Sequence, residues 1–108
     1  MIFKTATIQT NSSGNTQLVA AVPGHTIRVV AFVVTASGNE NVKFRSNSTD
    51  LTGFLYLATH GVCSSPSPTQ TPAGVVYQFQ TAAGEALNIN LAGTSDVGGY
   101  VVYQVVRE

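Results

Sequence analysis

Tryptophan is absent, cysteine and methionine occur once each, and charged residues make up only 9% of the 108 positions. Each shortage excludes something. A single thiol, Cys63, forms no intrachain disulfide and has no Cys or His at the spacing of a zinc site, so it reads as an ordinary loop thiol. Five Lys or Arg against five Asp or Glu leave a formal charge of zero, which argues against nucleic acid, an anionic membrane or an acidic substrate as partner. Lys43 and Arg45 share one strand face, but two charges on a neutral chain make no nucleic-acid groove. The longest apolar stretch, Ile27 to Ala36, contains Arg28 and falls short of the ~20 residues a membrane helix needs. Met1-Ile2-Phe3-Lys4-Thr5 lacks the basic segment and long apolar run of a secretory signal, so the expectation is a protein made and used without export.

Catalytic groups are scarce as well. The two histidines, His25 after Pro23-Gly24 and His60 at the head of a long loop, sit beside no nucleophile elbow. Glu40, Asp50, Glu85, Asp96 and Glu108 follow no metal-loop spacing, and Asp50, Glu85 and Asp96 read as turn residues. Gly98-Gly99 has no helix or lysine after it and is no phosphate loop. No metal, no cofactor and no enzyme chemistry are expected.

What the chain does have is Thr, Ser, Asn and Gln, together 35 residues, so solubility rests on hydroxyls and amides. Such a surface repels its own copies weakly and suits an assembly. Runs of Thr, Val, Ile, Tyr and Phe are short and separated by Gly, Asn, Ser and Pro, the pattern of strands joined by turns. Strands are expected near Phe3–Gln9, Gln17–Val22, Thr26–Ala36, Asn41–Ser46, Phe54–Ala58, Val75–Gln80, Ala86–Leu91 and Tyr100–Arg107. Turn chemistry lies between them, with Gly98-Gly99 counted among the turns. The fold class is therefore all-β: one domain over 1–108 of about eight antiparallel strands in a two-sheet jelly-roll sandwich, without the Trp and Cys pair of an immunoglobulin domain.

Alternation assigns faces. Leu87-Asn88-Ile89-Asn90-Leu91 and Val42-Lys43-Phe44-Arg45 put apolar residues on one side only. Three strands do not alternate. Ile27–Ala36 carries Val29, Ala31 and Val33 on one face and Val30, Phe32 and Val34 on the other, and Phe54–Leu57 and Tyr100–Tyr103 are also apolar on both. The second apolar face needs a cover, either a loop or another subunit. Val30, Phe32, Val34, Phe54 and Tyr56 are thus the candidate subunit interface. The irregular Pro/Ser segment at about 60–74 exceeds the ~12–15 residues usual for a structureless connection, and His60, Val62, Cys63, Pro66, Pro68 and Pro72 are its candidate partner contacts.

From about His25 to Val106 the chain resembles a family of small jelly-roll proteins of tailed bacteriophages that act as capsid decoration (cement) proteins or as modules of head fibres. The resemblance is carried by Val42-Lys43-Phe44-Arg45-Ser46 leading into Thr49-Asp50-Leu51-Thr52-Gly53, by Phe79-Gln80-Thr81-Ala82-Ala83-Gly84-Glu85-Ala86-Leu87-Asn88-Ile89-Asn90-Leu91, and by Val97-Gly98-Gly99-Tyr100. These are scaffold residues and name no binding site. The resemblance implies a homotrimer on the outer surface of the virion, bound to the major capsid protein, without cofactor. The alternative is a receptor- or carbohydrate-binding module of a head fibre or tail, with Tyr56, Tyr77, Tyr100 and Tyr103 available to stack on sugars.

Overall fold

β-Branched and aromatic residues fit the pleated, half-buried surface of a sheet, and the runs that carry them form the strands of the computed structural model, which describes residues 3–65, 70–71, 74–75 and 77–107. In chain order these are β1 (Lys4–Thr10), β2 (Gly14–Val19), β3 (His25–Ala36), β4 (Glu40–Ser46), β5 (Thr49–Asp50), β6 (Leu55–Leu57), β7 (Val62–Ser64), β8 (Gln70–Thr71), β9 (Gly74–Val75), β10 (Phe79–Gln80), β11 (Leu87–Leu91) and β12 (Val97–Arg107). Among the described residues there is no helix.

The pairings are nested. β1 pairs with β12, β2 with β11, β3 with both β7 and β10, and β4 with both β5 and β6, all antiparallel. The chain is therefore one long two-stranded ribbon, doubled back near Asn47, where a positive φ of 49° makes the reversal into β5. Rolling that ribbon up brings β12 against β3 and β11 against β4. Two five-stranded sheets result, the first in the order β1-β12-β3 with β7 and β10 on the far edge of β3, the second β2-β11-β4 with β5 and β6 on the far edge of β4. This is jelly-roll connectivity in a two-sheet sandwich. β8 and β9 form a separate hairpin.

The core lies between the sheets. Ile8, Val34, Val97 and Val101 face inward from the first, and Val42, Phe44, Leu87, Ile89 and Leu91 from the second. The expected alternation holds in β4 and β11, where every second residue is buried. Phe32, Phe44 and Phe79 form an aromatic triangle with ring centroids 5.2–6.0 Å apart, each pair worth about 0.5–1.5 kcal/mol beyond simple burial.

The structure corrects the two-faced reading of β3. Val102 sits opposite Ala31 while Tyr103 sits opposite Val29, so Val30 is the extra residue of a β-bulge. A bulge reverses the parity of everything after it. Ile27 and Val29 before it, and Phe32, Val34 and Ala36 after it, consequently all pack on the one core. Val30 itself is 0% exposed although outside that cluster. Gln78, just before β10, sits beside it, donating its backbone N–H to the Val29 carbonyl at 2.7 Å. Val30 and Val34 are thus covered within the chain and are not outward-facing interface residues; Phe32 is half-buried against the core.

Two other expectations change. Gly98-Gly99 is not a turn: β12 runs straight through it from Val97. The segment at 60–74 is not wholly irregular, since β7 adds to the edge of β3 at Val33–Thr35 and β8 pairs with β9.

Candidate functional site

Registry across the first sheet places residues from four distant parts of the chain in one row. Gln9 pairs with Gly98, Gly98 with Thr35, and Thr35 with Val62. Their neighbours Ile8 and Val34 point into the core, so by the period of two this row points out. Gly98 contributes no side chain, and the gap it leaves is the floor of a cleft of about 540 Å³. Gln9, Thr10 and Asn11 form one wall, His60 and Val62 the other, with Ala36, Ser37, Asp96 and Val97 completing the lining. Tyr100, 43% exposed, stands two residues along β12 on the same outer face.

Backbone hydrogen bonds hold the cleft's end in place. Ser37 N–H donates to the Asp96 carbonyl at 2.9 Å, and His60 N–H donates to the Ala36 carbonyl at 2.9 Å. His60 adopts a φ of 59°, a left-handed conformation that costs a non-glycine residue about 1–3 kcal/mol. Behind this end, the buried carboxylate of Glu40, 4% exposed, accepts backbone N–H bonds from Gly93 at 2.7 Å, Ser95 at 3.0 Å and Asn41 at 3.2 Å. Glu40 thereby clamps the 92–96 connection that carries Asp96.

The outer face of the second sheet has a different chemistry. Asn90 donates to Asn15 Oδ1 at 2.8 Å, Arg45 donates to the same oxygen at 3.3 Å, and Asn88 donates to the Asn47 carbonyl at 2.9 Å. Asp50 pairs with Lys43 at 3.1 Å and with Arg45 at 2.9 Å. The hydrogen bond from Lys43 comes first, desolvation opposes it, and the positive charges of Lys43 and Arg45 then help it hold the Asp50 carboxyl below the usual aspartate value. Lys43 Nζ also lies 4.4 Å from the Phe54 ring centroid. These groups satisfy one another.

The residues singled out from the sequence fall in separate places. Phe54 and Tyr56 lie together at the β6 edge of the second sheet, ring centroids 6.5 Å apart, with Tyr56 78% exposed. His60 and Val62 line the cleft on the first sheet. Cys63 is half-buried against the core in β7, while Pro66, Pro68 and Pro72 lie outside the described residues. His25 faces its own turn, its Nδ1 donating to the Pro23 carbonyl at 2.9 Å. Among the described residues no three His, Cys, Asp or Glu side chains cluster as metal ligands would. Sequence reasoning missed Gln9, Asn11, Thr35 and Ser37 and took Asp96 for a turn residue; nothing local marks them, because only the register of four strands assembles them.

The fold defines the class: a two-sheet jelly-roll sandwich with a polar cleft on one outer face and an exposed aromatic pair at one edge of the other sheet. Comparison with family models, with curated proteins and with solved structures finds no match for the chain.

Proposed function

We propose that the protein is a non-enzymatic structural protein of a phage virion, which decorates the capsid by binding the major capsid protein as a homotrimer. The observation that carries this reading is the β6 edge. Tyr56 and Phe54 leave aromatic surface in water, and among the described residues β6 pairs only with β4, none of them pairing with its outer backbone edge. Tyrosine is an amphipathic anchor enriched at protein interfaces, and a free strand edge invites pairing with another chain. The resemblance to decoration proteins and the scarcity of charge agree with this reading. Val30 and Val34, being covered within the chain, no longer support the trimer, which now rests on Phe54 and Tyr56 and on the resemblance.

The experiment measures copy number and occupancy. Mass spectrometry of purified virions should count hundreds of copies per particle, the number expected of a decorated shell, and light scattering should find a trimer in solution. The pair Phe54→Ser and Tyr56→Ser should leave the fold intact and weaken binding to undecorated capsids by about tenfold or more, the scale of one lost aromatic anchor. A handful of copies per particle, or full occupancy by the double variant, counts against the proposal.

A further inference from the structure

We propose that the cleft on the outer face of the first sheet binds a neutral hexose unit of a glycan. This goes beyond a decorating role and does not depend on it, because the β6 edge and the cleft belong to different sheets.

The lining decides the ligand class. Gln9, Asn11, Thr35, Ser37 and Asp96 present amides, hydroxyls and one carboxylate around a floor that Gly98 leaves open. A sugar hydroxyl both donates and accepts, and amide and hydroxyl side chains answer both needs. Thr35 Oγ1 already donates to the Gly98 carbonyl at 3.3 Å, which leaves its lone pairs to accept. Val62 supplies apolar surface at the cleft wall, and Tyr100 in the next outward-facing row offers a ring for the C–H face of a pyranose. The volume of about 540 Å³ lies within the roughly 300–1,000 Å³ of small-molecule sites.

Charge and backbone pairing exclude the rival occupants. The lining holds an aspartate and no lysine or arginine, so a phosphate, sulfate or carboxylate would meet repulsion with no compensating pair. An added peptide strand would need a free ladder, yet β12 is paired on both sides by β1 and β3, and β3 by β12 and β7. Recognition has to come from side chains. His60 is held in its left-handed conformation at the wall, so the cleft keeps a strained residue where a ligand would touch it.

The test is a chemical-shift titration of the labelled protein with the methyl glycosides of glucose, galactose and mannose, each to about 50 mM, far enough to saturate a millimolar site. At least one should give saturable shifts centred on Gly98, Ser37 and Val62. Gly98→Val should fill the floor, and Asp96→Asn should remove the carboxylate acceptor, each weakening binding at least about tenfold. A methyl group on Gly98 meets nothing nearer than Thr35 Oγ1 at 3.6 Å, so Gly98→Ala keeps the test available should the valine variant fail to fold. Tyr56→Ser, on the other sheet, should bind as the parent does. The proposal is overturned if none of the three hexosides gives saturable shifts, or if the shifts map away from the cleft. It is equally overturned if inorganic phosphate, glucuronate or butylamine binds as tightly as the best hexoside.

Discussion

Replacing Gly99 by alanine tests whether the central pairing of the first sheet depends on close backbone approach. Gly99 has a φ of 138°, and a Cβ there would collide with the Val33 carbonyl oxygen while lying 2.8 Å from its carbon and 3.2 Å from Val34 Cα. Carbon atoms pack at roughly 3.5–4.0 Å, so β12 and β3 would have to part locally by about 1 Å or more. Two ladder hydrogen bonds at about 0.5–1.5 kcal/mol each would be weakened or lost, and the left-handed backbone adds about 1–2 kcal/mol for a side chain. The sum is about 2–5 kcal/mol, a large share of the roughly 5–15 kcal/mol that holds a domain together. At roughly 4–8 °C per kcal/mol for a domain of this size, the melting temperature should fall by about 8–40 °C. Two companion variants separate the causes. Gly84→Ala meets no atom within 4 Å but has a φ of 76°, so it should show only the backbone cost of about 1–2 kcal/mol. Gly53→Ala meets neither obstacle and should stay within about 0.5 kcal/mol of the parent. Thermal and urea unfolding followed by circular dichroism give the ranking. If Gly99→Ala melts at or above Gly84→Ala, steric approach to Val33 is not what the glycine provides.

The remaining predictions concern the core, the buried clamp and the surface ion pair. Phe44→Ala should cost about 3–5 kcal/mol, because Phe44 is fully buried and touches both Phe32 and Phe79, whereas Tyr56→Ala should change stability by less than about 0.5 kcal/mol; equal effects would contradict the assigned burial. Glu40→Gln should cost about 1–3 kcal/mol in urea titration, since the amide must turn its N–H₂ toward a backbone donor at one of the two oxygen positions, Ser95 at Oε1 or Gly93 and Asn41 at Oε2, and an unaltered midpoint would remove Glu40 from its role as a clamp. Asp50 should titrate below the usual aspartate value of 3.8. Because its folded pKa is depressed, its small contribution is present above that value and lost as pH falls through the lower, folded midpoint. Lys43→Ala should raise the Asp50 midpoint in a carboxyl NMR titration, and an unshifted midpoint would show that Lys43 is not its cause.

Much of the fold was legible because alternation is local. Leu87 to Leu91 and Val42 to Arg45 declare their buried faces within five residues, and the observed burial follows them. β3 was misread because one inserted residue, Val30, shifts the period, and the signal for that insertion lies on the partner strand between Val102 and Tyr103. β7 escaped notice because Val62–Ser64 is three residues long and follows a glycine, with no period to detect. Gly99 looked like a turn because its local chemistry is that of a turn; the reason for the glycine is Val33, more than sixty positions earlier. The cleft was the least legible part. Its row of Gln9, Gly98, Thr35 and Val62 exists only after four strands have come into register, and of those four only Val62 had been singled out.

The nested ribbon also dictates an order of events during synthesis. β12 is the strand on which both β1 and β3 hydrogen-bond in the first sheet, and it is the last of the twelve strands to be synthesised. About ninety residues separate β1 from it, roughly 5–20 s at ribosomal speeds. Throughout that interval Ile27, Val29 and Val34 have no completed sheet to lie in, and the nascent chain carries them as sticky, unpaired β surface. Only the inner end of the ribbon, where β4 turns back onto β5 and β6, can close from neighbouring sequence. Folding should therefore begin at that reversal and finish only once β12 has emerged, and a chain terminated before Val97 should accumulate as an aggregating fragment and not as a smaller version of the domain.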